Sequence, residues 1–245
     1  TMDTFVDSSW YYLRYTDPKN EGEFASADKL KHWMPVDLYV IGAEHATAHL
    51  FYARFITKFL HDQGYLSFKE PFLKLRHQGM ILGPDGRRMS KRWGNVINPD
   101  DVIGQYGADT ARMYEMFMGP FESGGPWDPK AIVGVYRFLG RVWNRVIKKP
   151  GIGKTDKVFH KATKKIGEDI ENLRFNTAVS ELMKLLNEVE EKELSKEEVE
   201  LFLKLLSPFA PHLAEELWHQ LGNKKSIHLE PWPEYDSKLI REEKI

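Results

Sequence analysis

The stretch RRMSKRWGN at residues 87–95 puts four cations into six residues, with Ser90 between the basic pairs and Gly94 just behind them. Lysine is a mobile point charge that suits phosphate, a serine hydroxyl adds a donor, and glycine allows close backbone approach. A solvated loop has the same composition, so the stretch alone leaves both readings open. A second group is HATAH at residues 45–49. His45 and His49 lie four apart, which on one helix face turns both toward a common pocket. As a metal pair they are weak, because no H-E-x-x-H pattern surrounds them and the chain has no Cys. Neutral imidazoles shaping a pocket are expected there, and no zinc site. Phe5, Ser8 and Tyr11 recur at three-residue spacing and face one way on a helical turn, although core packing explains Phe5 and Tyr11 equally well.

These side chains need elements to hold them. VDLYVIG (36–42) is a continuous apolar run ending in Gly, the pattern of a strand buried on both faces. A helix is expected over 45–64, with Leu50, Phe51, Ile56, Phe59 and Leu60 at helical spacing and Gly64 as its stop. Strand, short turn and helix make half of a βαβ unit. Ligands of parallel sheets sit at the carboxyl ends of the strands, which puts residues 42–49 beside one. FLKLRHQGMIL (72–82) reads as a further strand, GPDG (83–86) as a turn, and NPDDVIGQYG (98–107) as a short helix capped by Asn98 with Pro99 in its first turn. ADTARMYEMFMG (108–119) carries another helix.

From about residue 120 only helical patterns occur: 130–148, about 156–170, about 175–192, and 195–221 broken by Pro208 and Pro211. Ser195 with Glu198 forms a capping box for the last of these. The expectation is an α/β part over residues 1–120 and an all-α helix bundle over 121–245.

At a formal charge of −1 and 42% hydrophobic residues, the 245-residue chain is neither disordered nor a generic polyanion binder. Local clustering is different: residues 129–149 hold Lys130, Arg137, Arg141, Arg145, Lys148 and Lys149. Arg137, Arg141 and Arg145 recur every four residues, so one cationic stripe is expected, either a solvated face or a surface for phosphate. Phe138 and Trp143 of the same helix read as core. The absence of Cys suits a reducing cytoplasm, and no apolar run approaches the ~18 residues of a membrane span. Opening at Thr1-Met2 and stopping in a charged stretch at Ile245, the chain reads as a piece or a subunit of something longer.

R-M-S-K-R at 88–92 resembles the K-M-S-K-S signature of class I aminoacyl-tRNA synthetases, and GNVINPDDVI…YGADTAR is similar to the family's sequence just after that signature. DTFVDSSWYYLRY (3–15) and PVDLYVIGAEHATAHLFYARF (35–55) look like the leucyl enzymes rather than the valyl or isoleucyl ones. RFNTA (174–178) and PFAPHLAEELW (208–218) are similar to the family's helical tRNA-binding domain. The resemblance implies the carboxyl-side half of a Rossmann-like catalytic domain followed by that bundle. It implies leucine activation with ATP (taken with Mg2+) and transfer to tRNA(Leu).

In this reading Lys91, and with it Arg88, holds the triphosphate. Gly42, Glu44, Met80, Ile81 and Ser90 join Lys91 around ATP, the first two at its adenosine part and Met80 and Ile81 through main-chain groups. Helix-end charge placement accounts for Glu44 as well, and core packing for the side chains of Met80 and Ile81. Phe5, Ser8, Tyr11, His45 and His49 line the leucine pocket, and Arg137, Arg141 and Arg145 face the tRNA body. Arg88 and Arg92 depart from the signature's Lys and Ser, and Arg92 has no assigned role. No H-x-G-H motif and no Thr-rich editing insert occur in the sequence. A second chain or a missing segment is expected to bring both, and this chain alone is expected to be inactive. The rival expectations are a valyl or isoleucyl-type enzyme, and a catalytically silent tRNA-binding or assembly subunit.

Overall fold

The first block forms two single-turn helices: α1 spans Phe5–Ser8 and α2 Tyr11–Arg14. The computed structural model describes residues 5–148, 151 and 157–240. Lys149 of the basic stretch, and Asp3 and Thr4 of the first block, lie outside them. The chain divides into two compact units, Thr1–Gly79 and Met80–Ile245.

In the first unit, α3 (Ala27–Trp33) and α4 (His49–Asp62) surround a small core of Tyr12, Leu13, Leu30, Met34, Ala53 and Leu66. The expected long buried strand at 36–42 is only β1, Tyr39–Val40, paired in parallel with β2, Leu75–Arg76. Leu38 and Val40 are exposed, on a sheet that has two strands among the described residues. Helix α4 forms as expected but buries a different face. His49, Leu50, Ala53 and Thr57 point inward, whereas Phe51, Phe55 and Phe59 are each more than half exposed. Tyr12 fixes the inward choice: its hydroxyl bonds Thr57 Oγ1 at 2.9 Å and donates to the Ala53 carbonyl. Burial pushes the Tyr12 hydroxyl up to about 12.

The run 72–82 is likewise two strands in two sheets, with β3 (Met80–Leu82) opening the second unit. β3 pairs in parallel with β4 (Gly124–Pro126), placing Met80 beside Gly124. Only glycine fits at Gly124: its φ is +62°, and a Cβ there would lie 2.3 Å from the Met80 carbonyl oxygen.

Helix α5 (Pro99–Tyr106) starts at Asn98, whose side chain accepts from the Asp100 amide, and α6 (Ala108–Phe117) begins after Gly107. Then come α7 (Ala131–Val146), α8 (Lys157–Glu171), α9 (Phe175–Val189), α10 (Lys196–Leu206), α11 (Pro211–Gln220) and α12 (Ser237–Ile240). The capping box of Ser195 and Glu198 is present in both directions. On α7, Ile132, Val135, Leu139, Val142 and Val146 are buried at alternating three- and four-residue steps, the inward stripe of a bundle helix. Val102, Met113 and Tyr114 share that core, so the change of character near residue 120 falls inside the second unit.

Two of the motif blocks are joints of this unit. Asp169, fully buried, accepts from Arg174 Nε at 2.8 Å and Thr177 Oγ1 at 2.7 Å, and pairs with Lys165. Burial opposes its ionisation, but these three donors together hold its carboxyl below the usual range. Asp109 at the start of α6 accepts from the His212 and Leu213 amides and from His212 Nδ1, capping α11 across more than 100 residues of chain.

Candidate functional site

The basic loop hangs between β3 and α5. Gly83 N–H donates to the Arg87 carbonyl and Gly86 N–H to the Gly83 carbonyl, closing GPDG as a tight turn. Asn95 braces the rest: its amide nitrogen donates to Asp85 at 3.0 Å and to the Arg88 carbonyl, and its oxygen accepts from the Ser90 amide at 2.8 Å. A Cβ at Gly83 would lie 2.8 Å from that amide nitrogen, so glycine lets the brace close. The Asn95 hydrogen bond, aided by the Arg87 amide, lowers the Asp85 carboxyl.

Ser90 caps a single 3₁₀ turn, Lys91–Trp93, with its Oγ accepting from the Arg92 amide, and Gly94 ends the turn at φ +62°. The four cations are then used unequally. Arg87 pairs with Asp85 and lies over the Trp93 ring, and Arg92 lies over the same ring, each guanidinium 5.2 Å from its centroid. Lys91 and Arg88 are exposed, and among the described residues neither has a carboxylate within salt-bridge distance. The loop thus holds two of its cations internally and offers the other two. Met80 and Ile81, just before it, have their main chain in the β3–β4 pair; Ile81 packs on the core and Met80 is exposed.

The other expected site residues lie in the first unit. Tyr39 organises them: its hydroxyl is 2.9 Å from that of Tyr11 and 2.8 Å from His49 Nε2, and its ring stacks on Phe72 at 3.8 Å. His45 and His49 do meet, rings 6.4 Å apart and nearly perpendicular. They do not share a helix, however: the backbone breaks at Ala48, with His45 in a 3₁₀ turn (Ala43–Thr47) and His49 opening α4. The Nδ1 atoms of both are buried with no hydrogen-bond partner in the structure. Burial, with the neighbouring His45 second, lowers the His49 pKa and favours the neutral ring. Burial and the bond to Tyr11 raise that of Tyr39.

Phe5 stacks on Tyr52 at 5.7 Å, and Ser8 Oγ donates back to the Phe5 carbonyl. Because α1 ends at Ser8, Phe5, Ser8 and Tyr11 are not on one helix. Glu44 is exposed and folds its carboxylate against Gly42, where a Cβ would lie 2.3 Å from its oxygen. Among the described residues, no group of three or more His, Asp or Glu could hold a metal ion.

The cationic stripe on α7 is corrected. Arg145 is buried, and its guanidinium donates to the Lys192 carbonyl at 2.6 Å and reaches the Val189 carbonyl, at the end of α9. A cation there meets the negative end of a helix. Arg141 is paired through both nitrogens with Glu190 and donates to Asn187 at 2.7 Å. Arg137 alone of the three is exposed with no carboxylate partner among the described residues. Phe138 is core as expected, but Trp143 is half-buried and lines a groove. Tyr39 and Asn95 were not singled out by sequence. A lone Tyr in an aliphatic run, and an Asn behind a positive-φ Gly, are the only signals they carry.

Residues 1–121 match the family described as tRNA synthetases class I (I, L, M and V), and residues 156–245 the anticodon-binding domain of tRNA ligase. Among solved structures, the agnB2 LeuRS of Agrobacterium radiobacter K84, in ternary complex with tRNA and LeuAMS, is 35% identical with a TM-score of 0.87. That match covers 98% of this chain, which spans 34% of the relative's length. Methionyl-tRNA synthetase of Mycobacterium tuberculosis, in complex with methionyl-adenylate, aligns over 90% of this chain and 50% of its own, at 18% identity and a TM-score of 0.65. The second likeness is one of fold alone.

Proposed function

We propose that this chain, which belongs to the class I aminoacyl-tRNA synthetases, supplies the carboxyl-side part of a leucine-activating site (to about residue 120) and a tRNA-holding bundle (121–245). The observation that carries this reading is the loop 83–95, braced by Asn95, whose Lys91 and Arg88 are left without anionic partners among the described residues while Arg87 and Arg92 are engaged. A solvated loop has no reason for such a division.

In the reaction a leucine carboxylate oxygen attacks the α-phosphorus of ATP, and the bond to pyrophosphate breaks. A ribose hydroxyl of the tRNA end then attacks the leucyl carbonyl, and AMP leaves. Neither step needs a protein nucleophile, so positioning and charge stabilisation do the catalysis. Lys91, aided by Arg88 and the Ser90 hydroxyl, holds the triphosphate as negative charge moves onto the leaving pyrophosphate. Met80 and Ile81 meet adenine through main-chain groups, and Gly42 and Glu44 meet the adenosine part of ATP. Phe5, Ser8, Tyr11, His45 and His49 shape the leucine side-chain pocket, with Tyr39 holding His49 in place. ATP arrives with Mg2+ as substrate. On the bundle, Arg137 keeps a role toward tRNA phosphate, and Arg141 and Arg145 do not.

The rest of the synthetase, carrying the H-I-G-H half and the editing domain, comes from another segment or chain, and the enzyme works in the cytoplasm. The exposed Phe51, Phe55 and Phe59, at four-residue steps on α4, support a covering partner, because an exposed apolar helix stripe marks an interaction surface.

The test is ATP–pyrophosphate exchange by the assembled enzyme with leucine, isoleucine, valine and methionine in turn. Exchange preferring leucine supports the reading; preference for valine or isoleucine overturns the specificity. No exchange from a well-folded, fully assembled enzyme leaves a silent tRNA-binding subunit.

A further inference from the structure

Within the second unit, the start of α6, the middle of α7 and the start of α11 enclose a groove of about 520 Å³. The α7 wall is formed by Tyr136, Leu139, Gly140 and Trp143, at i, i+3, i+4 and i+7 on one helix face. Tyr136 is half exposed, and Tyr106 meets it edge-on with ring centroids 5.8 Å apart. Tyr136 and Trp143 are two turns apart, about 10 Å along the axis, with Gly140 between them. A Cβ built at Gly140 meets nothing within 4 Å, so the missing side chain leaves an open slot between two aromatic walls.

The polar groups of the groove point to the sign of the ligand. The one carboxylate among its lining residues, Asp109, is spent on the His212 and Leu213 amides and on His212 Nδ1. That last bond fixes the His212 ring, whose side chain is largely exposed. Arg137 is exposed, with no carboxylate partner among the described residues. An apolar, aromatic slot bordered by an available guanidinium and an imidazole suits a flat ring attached to an anion. The volume is in the range of a small-ligand site.

We propose that this groove takes an unpaired nucleobase of the bound tRNA, stacked against Tyr136 and over Gly140, with its phosphate on Arg137. The inference rests on the reading of the bundle as tRNA-holding. Aromatic stacking of this kind tolerates any base and depends on the exposed ring rather than on a base-edge code. A peptide segment is the other occupant an aromatic groove could take. The available cation, and a lining whose one carboxylate is already engaged, favour the nucleotide.

The experiment measures affinity of the full-length enzyme for a tRNA(Leu) transcript across a salt series, with circular dichroism melts as the control for folding. Tyr136→Ala is expected to weaken binding about tenfold at fixed salt, while Tyr136→Phe, which keeps the ring, stays near wild type. Gly140→Leu fills the slot at a helix position where leucine is the better helix former, and is expected to weaken binding as much without lowering the melting temperature. Arg137→Ala should reduce the salt slope by about one. If wild type binds with a salt slope but Tyr136→Ala and Gly140→Leu both bind as wild type does, the groove holds no base and the proposal is overturned, while the tRNA reading stands. If wild type shows no salt-dependent binding, the tRNA reading fails and takes this proposal with it.

Discussion

The hydroxyl of Tyr39 lies 2.8 Å from Nε2 of His49, and that one contact ties strand β1 to the first residue of α4. The same hydroxyl holds Tyr11, so three side chains from three elements share one oxygen. Because His49 Nδ1 is buried with no partner in the structure, the ring is anchored through Nε2.

Tyr39→Phe removes the shared oxygen while keeping the stack on Phe72. It leaves a buried ring nitrogen unsatisfied, which costs about 1–3 kcal/mol. Urea unfolding of the two proteins checks this, and equal midpoints and slopes would contradict the role given to Tyr39.

His49 predicts a pH dependence. Its folded pKa lies below the ordinary 6.5, so the unfolded chain takes the proton first as pH falls. Its contribution to stability is full above about pH 6.5, begins to fall below that and is lost as pH drops through the lowered folded value. Unfolding free energy measured from pH 8 to 5 should decline more steeply for wild type than for His49→Gln, which cannot titrate.

The opposite sign of charge, at a carboxylate, gives a second acid-sensitive joint. Arg54 hydrogen bonds, with Lys58 adding to them, lower Glu70 to about 2. That contribution is present above the ordinary 4.5 and is lost as pH falls through about 2. The pair is exposed, so its effect is small and screened by salt.

How much of this was legible in the sequence depends on which interactions are local. The Ser195–Glu198 box, the Asn98 cap and the GPDG turn are settled within four residues of chain, and all three stand where the residue pattern puts them. The buried face of α4 is settled by Tyr12, which meets Ala53 and Thr57 from more than 40 residues away, so the helix was legible and its orientation was not. Arginines at 137, 141 and 145 look identical by spacing, and their difference is made by Glu190, Val189 and Lys192, supplied from the far end of α9 and beyond it. The basic character of the signature loop was plain, whereas the brace through Asn95 and the Trp93 shelf for Arg87 and Arg92 needed coordinates.

That division on α7 predicts unequal costs. Arg145→Ala removes the buried guanidinium that donates to the Lys192 carbonyl and leaves a cavity, destabilising by about 2–4 kcal/mol. Arg137→Ala, on an exposed side chain, should change stability by no more than about 0.5 kcal/mol. Equal effects in denaturant titrations would contradict the placement of Arg145 as a buried cap.

Asp109→Ala removes the acceptor for both leading amides of α11 and should cost about 2 kcal/mol. Hydrogen exchange at His212 and Leu213 is expected to rise selectively, since those are the amides it holds.

The most direct test of the account is leucine-dependent ATP–pyrophosphate exchange by the assembled enzyme carrying Lys91→Ala. Lys91 is exposed and free of internal ion pairs among the described residues, so folding and assembly should be unaffected. Loss of one such charge-stabilising donor predicts a fall of about 10²–10³ in the exchange rate at saturating leucine. An exchange rate matching wild type would contradict the assignment of the 87–95 loop to the triphosphate.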